Sequence, residues 1–150
     1  MVRISLVVAY VAIMLVIMAS FVNSFQARDI ESPRDRVSEE QIRVYSDRIV
    51  IKIDGASWTR YANTNSMDPF LDEGANGIEI VPENEDEIYV GDVVAYESKY
   101  ADGLTVHRVI DVREDEAGRY FVLKGDNLSQ EDPENVRFSQ IKYVLIGVVY

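Results

Sequence analysis

The sequence predicts a mainly β domain behind a single N-terminal transmembrane helix. Three observations carry that expectation. The first residues form a long run without charge. The rest of the chain breaks into short apolar segments of period two, and turn-forming residues separate nearly every pair of them. No internal repeat and no low-complexity tract interrupts this order.

The opening segment, MVRISLVVAYVAIMLVIMASFVNSFQAR, carries no charge between Arg3 and Arg28. At about 1.5 Å of rise per residue that run spans roughly 36 Å, against a hydrocarbon core of about 30 Å. A cleaved signal peptide is the competing reading, but its apolar region normally runs about 7–15 residues, shorter than this one. Residues 1–27 therefore read as a transmembrane signal anchor. Its orientation does not follow from charge, because Arg28, Arg34 and Arg36 are mixed with Asp29, Glu31 and Asp35. Residues 28–45 are polar, mixed in charge and contain a proline, and read as a juxtamembrane linker with room for a short helical turn.

Residues 46–150 form the expected β domain. RIVIKI (48–53) alternates β-branched and charged residues, and IEIV (78–81), IYV (88–90), VVAY (93–96), TVHRVIDV (105–112), RYFVLK (119–124) and YVLIGVVY (143–150) follow. The turns between them are DG (54–55), EGANG (73–77), GD (91–92), DG (102–103), EAG (116–118) and GDN (125–127). Alternation in TVHRVIDV places Thr105, His107, Val109 and Asp111 on one face and Val106, Arg108, Ile110 and Val112 on the other.

Composition narrows the chemistry. Apolar residues make up 47% of the chain, enough for a packed core. The formal net charge of −11 argues against a nucleic-acid partner, since phosphate binding needs a basic face. There is no cysteine, which removes disulfides, thiolate metal sites and a thiol nucleophile. The single histidine, His107, rules out a multi-histidine metal site and is the only imidazole a mechanism can use.

Four places carry candidate chemistry. In NTNSMDPF (63–70), Asn, Ser, Asp and Pro suit a plain turn, but Met67 is an apolar residue set into that polar turn. A hydrolase binding peptide beside a serine nucleophile would use such a residue to wall an apolar pocket. GDVVAY (91–96) is a tight turn feeding a buried strand. His107 fits a hydrogen-bonded structural histidine. It also fits a general base, because an imidazole titrates near neutral pH, around 6.5. KGDNLSQEDPENV (124–136) is acidic. It fails as a calcium loop, because an EF-hand starting at Asp126 needs Gly and Glu where Glu131 and Arg137 stand. It remains either a solvated acidic turn or the source of a carboxylate that orients His107.

The order of these segments resembles type I signal peptidases of the peptidase S26 family, in their archaeal and endoplasmic-reticulum form. The resemblance covers residues 56 to 150 and the N-terminal anchor. Its boxes occur in the family order: Ser66, Met67 and Pro69; the Gly-Asp strand GDVVAY; the base-bearing strand VHRVI; and GDNLSQED. The bacterial branch has a lysine base where His107 stands, so this chain looks like the Ser-His branch. A lysine must lose about three pKa units before it accepts a proton near pH 7, whereas histidine needs almost none. A small residue often precedes the serine in the family. Here Asn65 stands there, a residue that tolerates unusual backbone angles.

The resemblance implies a serine endopeptidase with a signal-peptidase-type β domain, single-pass in the cell membrane, with its catalytic domain on the extracytoplasmic side. Ser66 would be the nucleophile and His107 the general base, supported by Asp132 and Asp126, either of which is left open as the contact of His107. The Ser66 N–H and Thr64 would supply oxyanion donors. Ala62, Asn63 and Met67, with Leu104, Thr105 and Val106, would bind an extended substrate through shallow apolar pockets that admit small residues. No cofactor or metal is implied. The implied partners are signal-peptide-bearing preproteins, membrane lipid and the secretion translocon. Two other readings compete. A membrane-anchored, non-catalytic β module would bind extended peptides or partner proteins at a sheet edge. A self-cleaving repressor-type protease would need a Ser-Lys pair and a DNA-binding segment, which the apolar N-terminus and the acidic charge disfavour.

Overall fold

A computed structural model describes residues 8–18 and 30–150. The chain divides into two compact units, Met1–Ile30 and Glu31–Tyr150. In the first, residues 8–18 are helical, as their uninterrupted apolar character dictates. No helix among the described residues is long and apolar enough to cross a membrane. The remainder of the anchor expected over residues 1–27 lies outside the described residues.

The second unit is β, as expected. A small hairpin pairs β1 (Ile42–Val44) with β2 (Ile49–Ile51). The main sheet is antiparallel throughout and has six strands in the order β3-β4-β8-β5-β6-β7. These are β3 (Ser57–Arg60), β4 (Asn76–Ile80), β5 (Val93–Glu97), β6 (Leu104–Asp115), β7 (Gly118–Lys124) and β8 (Ile141–Val149). The longest strands, β6 and β8, are those with the longest period-two patterns, because each added residue extends a ladder that already has a buried face.

The continuous apolar run VVAY has a physical reason in the packing. Both faces of β5 are covered: Val94 and Tyr96 enter one core with Val109, Phe121, Leu123 and Val144. Val93 enters a second core with Met67, Leu71, Ala75 and Leu145. A strand buried on two sides loses its polar alternation. The second core ties the Ser66 loop to the sheet, because Met67 is fully packed in it and Val106 of β6 lies against it.

Three local expectations change. IYV (88–90) is not a strand. A 3-10 turn, Glu85–Glu87, precedes it, and the Tyr89 N–H is taken by the buried Asp92 carboxylate instead of a ladder partner. The alternation in β6 holds only as far as Val109. A bulge between Val109 and Asp111 shifts the register, so Val112 returns to the core that holds Val109, while Asp111 pairs with Arg113 at the surface. The stretch read as linker carries an unexpected strand: Glu39–Gln41 form the short helical turn for which it left room, but Ile42–Val44 form β1. Ahead of them, the Arg34 N–H and the Arg36 guanidinium donate to Asp92, at 3.1 and 2.6 Å, which straps this stretch onto the turn before β5.

Candidate active site

The strand pleat separates the histidine from its neighbouring arginine, and the loop after β7 brings a different acid to each. His107 and Arg108 are consecutive on β6, so their side chains leave on opposite faces. His107 Nδ1 donates to Asp132, with Oδ1 at 2.9 Å and Oδ2 at 2.8 Å. A carboxylate only accepts, so this contact places the proton on Nδ1 and directs Nε2 away from the acid. The Tyr96 hydroxyl donates to Asp132 Oδ2 at 2.8 Å. Burial, reinforced by that carboxylate, pushes the Tyr96 phenol well above its ordinary range, so it stays a donor. Asp132 is itself fixed by its N–H, which donates to the Leu123 carbonyl of β7. All three side chains are buried or nearly so.

Asp126 takes the other face. Arg108 grips it with two parallel bonds, Nε to Oδ1 at 2.8 Å and Nη2 to Oδ2 at 2.6 Å. Arg108 Nη1 also donates to the Gly91 carbonyl at 2.7 Å, and the guanidinium lies 5.4 Å from the Phe70 ring centre. Asp126 thus neutralises a buried guanidinium and is not a contact of His107. A buried charge pair with its other donors satisfied is the arrangement that makes such burial tolerable. Glu134, from the same acidic segment, is held as a charged group elsewhere. Burial works against its charge, but donors from Ser98, Gln140 and the Lys99 N–H outweigh it and leave its pKa below the ordinary value.

The Ser66 loop is built by the segment that holds Asp126. The Asn127 N–H donates to the Ser66 carbonyl at 3.0 Å, and Asn127 Nδ2 donates to the Asn65 carbonyl at 2.8 Å. The Asp126 N–H points at Met67 Sδ, 3.4 Å away. Gly125 permits this approach, since a Cβ there would stand 2.5 Å from the Ser66 carbonyl oxygen. Asn65 adopts φ +58°, the left-handed conformation that Asn tolerates better than most residues. The Ser66 hydroxyl is bonded to the Thr64 hydroxyl at 3.1 Å. No hydrogen bond joins it to His107 among the described residues.

Ser66 opens onto a cavity of about 430 Å³. Of the residues expected to bind substrate, Ala62, Met67, Leu104, Thr105 and Val106 line it, together with Thr64, while Asn63 does not. His107 directly follows the lining residue Val106. β6 also has a free edge here. Leu104–Val106 pair with β5 on one side, but pairing with β7 begins only at Arg108. Eight lining residues escaped the sequence reading: Thr59, Arg60, Tyr61, Leu71, Ala101 and Asp102, together with Glu79 and with Ala95 from the doubly buried strand. A single acid within the apolar run IEIV was the one available signal. Compared with known proteins, the chain matches no family model, no curated protein and no solved structure. Among the described residues no cluster of acids and histidine is arranged to hold a metal ion.

Proposed function

We propose that this chain is a membrane-anchored serine endopeptidase that removes signal peptides from exported preproteins, acting from the extracytoplasmic side. The observation that carries the reading is the buried His107–Asp132 pair, set on the strand whose preceding residues line the same cavity as Ser66. Ser66 Oγ attacks the scissile carbonyl while His107 Nε2 takes its proton. Asp132 holds Nδ1–H throughout and balances the imidazolium that forms. The oxyanion meets the Ser66 N–H and the Thr64 hydroxyl. The imidazolium then gives its proton to the leaving amine, and water repeats the sequence on the acyl-serine. To reach Nε2, the serine hydroxyl turns from Thr64. Catalytic hydrogen bonds are commonly long in a free enzyme and close only around substrate.

Substrate would enter as an added strand between residues 62–64, which continue from the edge strand β3, and the free edge of Leu104–Val106. The uncharged N-terminal run serves as the anchor and raises the local concentration of membrane-bound preprotein. The direct test incubates the detergent-solubilised full chain with a preprotein and maps the cut by mass. A single cut at the signal-peptide junction is expected, lost in Ser66→Ala and in His107→Ala. Cleavage retained in both folded variants would remove the assignment. The Ser66–Thr64 bond favours one second reading, a module that binds extended peptide without cutting it. Binding without any cut by the unaltered chain would establish that reading.

A further inference from the structure

The cavity beside Ser66 contains a polar pair that a purely apolar signal-peptide pocket has no use for. Glu79 of β4 lines it, is 5% exposed and accepts a hydrogen bond from the Tyr61 hydroxyl at 3.0 Å. No other hydrogen bond reaches that carboxyl among the described residues. A carboxylate offers two oxygens and about four acceptor sites, so with one donor Glu79 keeps acceptor capacity to spare. The pair is a built feature. Tyr61 lies across β4 at Gly77, where any Cβ would collide with the phenol oxygen. A bulge between Ile78 and Glu79 sets the carboxyl's position on the strand. Ala62, Met67, Leu71, Ala95 and Val106 supply the apolar part of the wall, and Thr59, Arg60, Thr64, Asp102 and Thr105 line the same cavity with polar groups.

We propose that the Tyr61–Glu79 pair is a specificity element that selects a substrate residue with a small, neutral hydrogen-bond donor, such as serine or threonine, over its aliphatic isostere. This rests on the peptidase reading and names the substrate class of the same site. A hydroxyl entering the cavity adds a second donor to the one that Tyr61 supplies. A methyl group of equal size displaces water from the carboxyl without offering a bond in its place. Sites built to bond a substrate hydroxyl reject the analogue without it far more strongly than apolar pockets reject an added methylene. Desolvation by burial raises the Glu79 pKa, which favours pairing with a neutral partner over capture of a lysine.

The test compares peptides identical except for Thr against Val, Ser against Ala, or Lys, at each of the three places before the cut. They are assayed with the full chain in detergent. At one place the unaltered protein should prefer Thr to Val by tenfold or more in kcat/KM. Glu79→Leu should reverse that preference, whereas Glu79→Gln, which keeps an acceptor oxygen, should retain part of it. Thermal melts of each variant identify any loss of folding, and Glu79→Gln covers the case in which the leucine variant fails to fold. Equal Thr and Val rates in the unaltered chain overturn the inference and leave the peptidase reading standing. A strong preference for Lys also overturns it, by showing that charge is what the site reads. Absence of Ser66-dependent cleavage of every peptide overturns both.

Discussion

Replacing Asp132 by Asn keeps the shape of the site and removes its charge. In the native protein His107 Nδ1 lies 2.9 and 2.8 Å from the two carboxylate oxygens, and Tyr96 shares the nearer one. An asparagine cannot serve both partners as they stand. If its oxygen faces His107, its amide meets the Tyr96 hydroxyl, which must then rotate to accept. If its oxygen faces Tyr96, its amide donates to Nδ1, and the imidazole proton moves to Nε2. That tautomer cannot accept the serine proton. The imidazolium also loses its counter-charge. At 2.8 Å and an effective dielectric of about 20, two unit charges attract by about 6 kcal/mol, and the amide dipole recovers part of this. The expected fall in kcat/KM is therefore about 10²–10⁴-fold, or about 2.7–5.4 kcal/mol in the barrier. Stability should change by less than about 2 kcal/mol, because hydrogen bonds of the same length remain available. The assay is preprotein cleavage by the detergent-solubilised chain, followed by mass mapping, alongside denaturant unfolding of the same preparation. An Asn variant that folds and cleaves within threefold of the unaltered protein would refute the role given to this carboxylate.

Three further outcomes follow from the same geometry. Gly125→Ala pushes a methyl into the Ser66 carbonyl and the Leu128 side chain, so unfolding measurements should show a loss of about 1–3 kcal/mol, with cleavage falling as the serine loop shifts; unchanged stability would mean the approach is not tight. Arg36→Ala leaves the fully buried Asp92 without the guanidinium that pairs with it and should cost about 3 kcal/mol in a denaturant titration, even though Arg36 lies far from Ser66 in sequence; a cost near zero would mean the strap contributes nothing. Glu79→Gln should show a pH-dependent gain. Burial raises the Glu79 pKa in the folded state, so the native protein binds the extra proton and its stability declines as pH rises from about 4.5. The melting temperature of the Gln variant should thus gain on that of the unaltered chain between pH 4 and pH 8, and parallel curves would exclude the shift.

Much of the β domain was legible because its signals are local. Short runs of β-branched and aromatic residues bounded by turn formers mark strands directly, as in RYFVLK and TVHRVIDV, and a turn that needs glycine or asparagine announces itself in GDN. β3 was hard to see because SWTR is an edge strand with only Thr59 partly covered, so burial imposes no alternation on it. IYV failed for the opposite reason. Its residues suit a strand, but the Asp92 carboxylate captures the Tyr89 N–H, and nothing in the tripeptide reveals that partner. Tyr61 and Glu79 were missed as a site pair because eighteen residues and a strand crossing separate them.

By itself the sequence determined the residue types on which any mechanism here must draw. It holds one imidazole, no thiol, a serine in a turn closed by proline, and two acids within seven residues of each other. It also determined that the consecutive residues His107 and Arg108 point to opposite faces of their strand. Only the tertiary structure decided which acid each face receives: Asp132 for His107, and Asp126 for Arg108. The reason is geometric. Side-chain direction along a strand is fixed by the local backbone, whereas the path of the loop after β7 depends on contacts with Leu123, Ser66 and Met67 that no neighbouring residue encodes.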